Sequence, residues 1–493
     1  MLCLVAGCPS PSPSEDTDTS PASTTSSGSD SAGTTSVGAF DSTSVDEPTG
    51  TTGGESTATS GTTGEETTTS GTTGEETTSS GEATETSSGG ESSTGPDVGM
   101  CANGKIEDGE ECDDGNVFLG DGCLPGCMVG DGVALPPIEL PDEDGLFRCL
   151  TPIDAAVLGG SSHVLALGGR NWSSPAEALV QAFSLPDGQA AGAAFVHDAA
   201  FARYVDQVAT AEDGDIVVAG HTYFDDAQTT GHLWLARLSP AGEVVWLREH
   251  GAILTDPEDL ALTPAGDIVL TSRIAGWGPT FKPSFVQVFD PDGELVWEHA
   301  APAGPEWHAS YKGVTVDAEG TIYVVGAGQH TGDPTWRLLL EALAMDGTPL
   351  WQVEAASPVH MRVEPSGIVV TSGGMLVVAG AESHENTGFT DDPGLAAFDT
   401  TGALLWWKTW PAPELWNTSV GRIAALPNFG GVVVAWGHSQ EDISRTRVAR
   451  YDTEGEVLWE IESDSQTHPL DAALGPDKVF YVLEGRSVRS YLP

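Results

Sequence analysis

LSPAGEVVW (238–246), FDPDGELVW (289–297), LAMDGTPLW (343–351), FDTTGALLW (398–406) and YDTEGEVLW (451–459) are five copies of one nonamer. Their glycines, Gly242, Gly293, Gly347, Gly402 and Gly455, stand 51 to 55 residues apart, the period of one four-stranded propeller blade. Each copy reads strand, tight turn, strand. The glycine supplies a position of positive φ, the Asp or Pro ahead of it favours the turn, and the apolar run ending in Trp opens the next strand.

Working outward, the chain after Leu150 divides into seven similar units, each read as strands A to D from the centre to the rim. The B strands are short β-branched runs such as DIVVAG (215–220), TIYVVG (321–326) and MLVVAG (375–380), suited to burial on both faces between neighbouring blades. The A strands, DLALTP (259–264) and RIAALP (422–427) among them, carry the small side chains that a crowded centre accepts. One Trp per blade at one position, Trp246, Trp297, Trp351, Trp406 and Trp459, reads as packing rather than cofactor stacking. The expected fold is an all-β, seven-bladed β-propeller. The first unit begins at Ile153, and the seventh ends at Pro493 without a strand D, so a segment within 133–150 is expected to close the ring and cover the open edge. A six-bladed ring is the rival, because the outer strand of the first unit, AAGAAFVH (190–197), is the weakest.

Nineteen Lys and Arg against 73 Asp and Glu give a net charge of −54, which repels phosphate backbones and excludes nucleic acid as a partner. Residues 9–97 are Ser, Thr, Gly and Glu, without Lys or Arg, and repeat SGTTGEETT at 60–68 and 70–78. With so little apolar surface nothing offsets the entropy of ordering, so this is read as a disordered acidic stalk. Its root-mean-square span as a flexible coil is about 50 Å. The expected organisation is a signal remnant at 1–8, the stalk at 9–97, a cysteine module at 98–132 and the propeller at 133–493.

Val5-Ala6-Gly7-Cys8 resembles the lipobox of bacterial lipoproteins, which implies acylation of Cys8 and a membrane association made through lipid alone. Residues 101–127 set Cys101, Cys112, Cys123 and Cys127 amid Gly and Asp, with GEECDDGN (109–116) and GDGC (120–123) intact. This stretch resembles the cysteine-rich repeat of secreted myxobacterial proteins and implies two disulfides outside the cytoplasm. Three pairings are open, and Cys149 is left over, free to join the module, pair with another chain or stay reduced. Asp113, Asp114, Asn116 and Asp121 have oxygen donors of the kind calcium takes, although turn capping accounts for the same residues and the spacing is not that of an EF-hand. No other cofactor is expected.

The turn-plus-Trp repeat resembles the SBBP-type repeats of secreted bacterial proteins and, more distantly, the repeats of quinoprotein dehydrogenases. From Asp399 to Gly402 the turn is one residue shorter than the quinoprotein pattern, and no Cys follows Cys149, so the adjacent Cys pair of those enzymes is missing.

No nucleophile elbow, zinc-protease helix or nucleotide loop occurs. Candidate ligand residues are therefore positional. If the B–C and D–A connections share one face, His221, Arg273, His330, His384 and His438 lie there with His197, His250, His308, His360 and His468. The primary reading is a monomeric, non-catalytic binding or scaffold lipoprotein at the outer membrane or cell surface, presenting its propeller to an extracellular protein or glycan. The alternative is a metal-assisted hydrolase or lyase, or an oxidoreductase, on the His-rich face. Three or more histidines converging on one point would mark the enzyme.

Overall fold

The computed structural model describes residues 123–124, 128–129, 133–134, 137–140 and 146–492, except the connecting stretches 155–163, 171–176, 186–187, 198–202, 224–230, 252–254, 275–282, 304–306, 384–390, 412–416, 428–430, 441–442 and 464–466. All belong to the unit running from Thr94 to Pro493. The predicted stalk, Cys8, the side chains of Cys101, Cys112, Cys123 and Cys127, the calcium candidates Asp113, Asp114, Asn116 and Asp121, and His384 lie outside the described residues. Every long element described is a β-strand.

Seven antiparallel sheets form a seven-bladed propeller. The inner strands are Leu146–Ile153, Arg203–Thr210, Thr255–Leu262, Trp307–Val316, Arg362–Val370, Asn417–Ala425 and Pro469–Leu474. Each lies beside the next, and the seventh lies beside the first. Apolar side chains of adjacent blades share one core: Val269, Val286 and Val288 of blade three pack with Ile322, Val324 and Leu339 of blade four. At ~25 cal/mol per Å2 of apolar surface, these interblade layers are the main stabilising term.

Closure follows the expectation. The last strand, Ser487–Leu492, pairs with Val133–Ala134 (Val133 opposite Leu492) and with Ile138–Glu139 (Ile138 opposite Val488). Leu140 N–H donates to the Arg486 carbonyl at 2.9 Å. The first unit's sheet takes its own place in the ring, so the six-bladed rival is set aside. One boundary is corrected: the first blade begins with Leu146–Ile153 as its innermost strand, not at Ile153, while the closing strands Val133–Ala134 and Ile138–Glu139 lie within the expected 133–150. The cause is a bulge at Arg148, which shifts the pairing between Phe147 and Cys149 and breaks the alternation by which the strand would be recognised.

The repeated Trp has a more specific role than packing. Trp246 donates Nε1–H to the Pro291 carbonyl at 3.1 Å, Trp297 to Met345 at 2.8 Å, Trp351 to Thr400 at 2.9 Å and Trp406 to Thr453 at 2.8 Å. Each Trp thus docks on the C–D turn of the following blade. The turn glycine is needed twice over: Gly293 has φ +82°, and a Cβ there would sit 2.7 Å from the Trp246 ring. The turn acids Asp290, Asp399 and Asp452 accept backbone N–H groups two and four residues on, at 2.8 to 3.0 Å.

Gly293→Ala should lose about 1–2 kcal/mol from the left-handed backbone and more from displacing the ring. Gly266→Ala is the control, since Gly266 also has positive φ (+87°) but its Cβ would meet only Pro291, at 3.7 Å. Urea unfolding of both variants checks this; equal losses would contradict the docking.

The two residues before each Trp are left uncovered. Val244 and Val245, Leu295 and Val296, Leu350, Leu404 and Leu405, and Val457 and Leu458 are 41–59% exposed on the outer strands of blades two to six.

Candidate functional site: the channel and its mouth

All seven inner strands carry a register shift at the same height, leaving Arg148, Asp206, Glu258, Lys312, Ser366, Gly421 and Leu470 as the extra residues. Such bulges re-aim the side chains that follow them. The position after each bulge holds Cys149, Gln207, Asp259, Gly313, Gly367, Arg422 and Asp471, one layer around the axis.

Arg422 bridges this layer. Its Nε–H donates to Asp471 at 2.8 Å, Nη1 to Asp259 at 3.1 Å and Nη2 to the Gln207 side chain at 3.1 Å. The carboxylates reach on: Asp259 accepts Val314 N–H and Asp471 accepts Leu150 N–H, each at 2.9 Å. One guanidinium thereby ties together blades one, two, three, four, six and seven. Glycine at 313 and 367 keeps blades four and five close; a Cβ on Gly313 would stand 3.1 Å from the Gly367 Cα. Burial raises the pKa of both Asp259 and Asp471 against the lowering pull of Arg422. Burial would likewise discharge Arg422, but the two carboxylates outweigh it and hold it charged. Around the node lies a cavity of about 280 Å3, lined by inner-strand residues including Thr151, Ala209, Thr315 and Ala472.

One residue nearer the B–C and D–A face, the bulged residues of blades one to four, Arg148, Asp206, Glu258 and Lys312, form a partial charged collar. Glu258 meets Arg273 Nε at 2.5 Å and Lys312 Nζ at 3.3 Å. Asp206 meets His221 Nδ1 at 2.5 Å. His221 is buried, stacked on Tyr204 (centroids 4.8 Å apart) and edge-on to Tyr223 (4.7 Å). Burial alone would depress its pKa, yet the Asp206 carboxylate prevails and the pKa is raised.

Of the other described histidines of this face, three are settled within or next to their own blades. His330 pairs with Glu354 at 2.8 Å and lies against Trp307; His360 pairs with Asp392 at 3.3 Å; His250 lies against Phe289. Among the described residues, no three His, Cys, Asp or Glu are grouped as metal ligands. His221 and Arg273 thus meet the collar, whereas His330 and His438 stand apart from it in blades four and six. Cys149 is buried and in no disulfide among the described residues, its thiol directed at the Gly168 carbonyl at 3.5 Å; burial pushes its pKa well up.

His438 is buried, and burial together with Arg447 depresses its pKa from 6.5 to about 4. A histidine depressed in the folded state contributes stability that is full above the unfolded pKa and is lost as pH falls toward the folded one. The part of the stability that depends on His438 should therefore decline between pH 6.5 and about 4, so wild type should lose more stability over this range than His438→Gln. Thermal unfolding midpoints across this range test it; identical slopes would contradict it.

The node was hidden from sequence reading, although a signal exists. Aligned on the inner strands, Gln207-Val-Ala, Asp259-Leu-Ala, Arg422-Ile-Ala and Asp471-Ala-Ala put the one polar residue at the same place before small apolar ones.

The fold and site define a closed seven-bladed propeller with a charged axial node, quinoprotein-like in its repeat. Residues 283–475, from the third strand of blade three to the first turn of blade seven, match the family described as outer membrane protein assembly factor BamB. No curated protein matches the chain. Among solved structures it is similar to a polysaccharide lyase of family PL25, an ulvan lyase (10% identity, 72% of this chain and 95% of that one, TM-score 0.44). It is also similar to a protein of unknown function from Dyadobacter fermentans (15%, 58% and 92%, 0.39) and to Drosophila Plexin A in complex with Semaphorin 1b (10%, 73% and 87%, 0.44). Identities and scores this low have no bearing on function.

Proposed function

We propose that the chain is a non-catalytic binding or scaffold protein that presents its propeller outside the cytoplasm, held at the outer membrane or cell surface by acylated Cys8 and spaced from it by the acidic stalk. The observation that carries this reading is the state of the mouth face. Among the described residues its charged and imidazole groups are engaged separately around the ring, and the tightest of them, His221 with Asp206, is buried under two tyrosine rings. A general base or metal ligand has to reach a substrate; a collar of fixed charges suits recognition of a polar extracellular protein or glycan. The match of 283–475 to an outer-membrane assembly factor supports the location and the scaffold role.

The test is to offer the purified full chain polysaccharide, ester and peptide substrates, with and without zinc or calcium, and to run glycan and protein binding screens beside them. Saturable binding without turnover is expected. Turnover abolished by His221→Gln in a folded variant would establish the hydrolase or lyase alternative instead.

A further inference from the structure

We propose that the outer rim of blades two to six is a docking surface for an extended, cationic and alternately apolar polypeptide, which adds as a strand to the open edges of the outer strands. The inference rests on the reading of the chain as a binding protein and names a partner chemistry for a surface remote from the channel mouth.

The outer strands Val244–His250, Leu295–Ala300, Pro349–Ala355, Leu404–Thr409 and Val457–Glu462 are paired on one side only. Their other edges offer unpaired backbone donors and acceptors to an added strand. Proteins blunt such edges with charge or with bulges; each of these strands carries one bulge, at Val245, Val296, Leu350, Leu405 or Leu458, and is regularly paired from the Trp onward. The opening positions are apolar, not charged: nine of the twelve exposed large hydrophobics among the described residues occupy the two positions before the docking Trp. Interblade packing does not demand this, because the Trp performs the docking and the pair beside it remains in solvent. Singly scattered apolar residues need no explanation, but such a pair on four blades, and Leu350 at the same place on the fifth, does.

Charge selects the occupant. The residue after the turn glycine is Glu243, Glu294 or Glu456 in three of these blades, all exposed, and the turn tips add exposed Asp292, Asp346 and Glu454. Glu294 and Glu456 are already neutralised by Arg248 and Lys408, so the exposed acids left for an incoming cation are Glu243, Asp292, Asp346 and Glu454. An approaching strand must therefore bring Lys or Arg to the acids and apolar side chains to the Val and Leu pairs. A second copy of this chain, with its net charge of −54, would bring like charges together.

The experiment titrates the full chain into a fluorescein-labelled peptide of alternating Lys and Val, followed by anisotropy. Saturable binding that weakens with salt is expected. Val245→Thr/Leu405→Thr/Leu458→Thr, which keeps β-propensity, should weaken it ~10-fold or more, with an unchanged unfolding midpoint showing that the ring is intact. Methylating alternate peptide nitrogens should abolish binding, because an added strand needs those donors. No binding, undiminished binding by the triple variant, or equal binding of a Lys–Ser peptide drawn simply to the acidic residues 9–97 would each overturn the proposal. If the peptide fails while the chain still captures a glycan or protein, only the rim inference falls. If His221-dependent turnover is found, the scaffold reading falls and the rim is judged by the peptide alone.

Discussion

Arg422→Met should destabilise the propeller by about 3–5 kcal/mol, the cost of stranding buried charges when one partner of a buried pair is removed. The variant leaves Asp259 and Asp471 facing each other across the axis without the guanidinium that joins them. Asp259→Asn and Asp471→Asn added to Arg422→Met should recover much of the loss, because each amide oxygen still accepts its backbone N–H from Val314 or Leu150 while the stranded charge is gone. The pH dependence has a definite sign. Both carboxyls are already raised by burial in the folded protein, and Arg422 is what pulls them down. A carboxyl raised in the folded state contributes stability at low pH that is lost as pH rises through its folded pKa. Without Arg422 the carboxyls rise further, so the deficit of the variant should shrink as pH falls from about 7 toward the carboxylate range. Urea unfolding of wild type, single and triple variants checks both expectations. A deficit under ~1 kcal/mol, or one that grows on acidification, would show that the node holds little of the ring together.

The second large effect concerns the docking tryptophans. Trp246→Ala should cost about 3–5 kcal/mol, as large buried aromatics do on truncation, since the side chain is 9% exposed and loses both its seat on Gly293 and its bond to Pro291. Trp459 is the instructive comparison. It is the last copy of the motif, and blade seven has no C–D hairpin turn for it to reach, because its outer strand arrives from upstream. Its Nε1 is buried without a hydrogen-bond partner among the described residues. Phenylalanine should therefore be damaging at 246 and neutral or mildly stabilising at 459, where it removes an unsatisfied donor. Denaturant midpoints of the two Phe variants decide; equal losses would contradict turn docking as the reason for the repeat.

These two features differ in how openly the sequence carries them. The Trp repeat is local: the turn, the glycine and the ring lie within nine residues, and the period of 51 to 55 residues sets them on successive blades. The turn on which each ring docks belongs to the next copy, so its bond is invisible until blades are placed side by side. The axial node is non-local. Arg422 stands 163 residues from Asp259 and 215 from Gln207, and in RIAALP it reads as an exposed arginine opening a small-residue strand. A bulge before it turns that position into the axis, and one-residue bulges defeat alternation patterns. The same effect concealed the first inner strand, LFRCLTPI, whose Arg148 and Pro152 interrupt the period. On the mouth face, sequence position brought His221 and Arg273 to the right end of the ring. It could not show that each would be met by a carboxylate of an inner strand, Asp206 and Glu258, because strand pairing and bulge register determine that meeting.

Ring closure is where the seven-bladed reading is most exposed, because blade seven borrows its outer strand from Val133–Ala134 and Ile138–Glu139, 348 to 359 residues upstream of their partners in the chain. The direct measurement is hydrogen exchange of the amides in Ser487–Leu492, comparing the full chain with one that begins at residue 141. Slow exchange is expected in the full chain and, on truncation, fast exchange of those amides that face the borrowed strand, with Phe480–Glu484 on the other side still protected. Equal protection of Ser487–Leu492 in both chains would contradict closure from the N-terminal side.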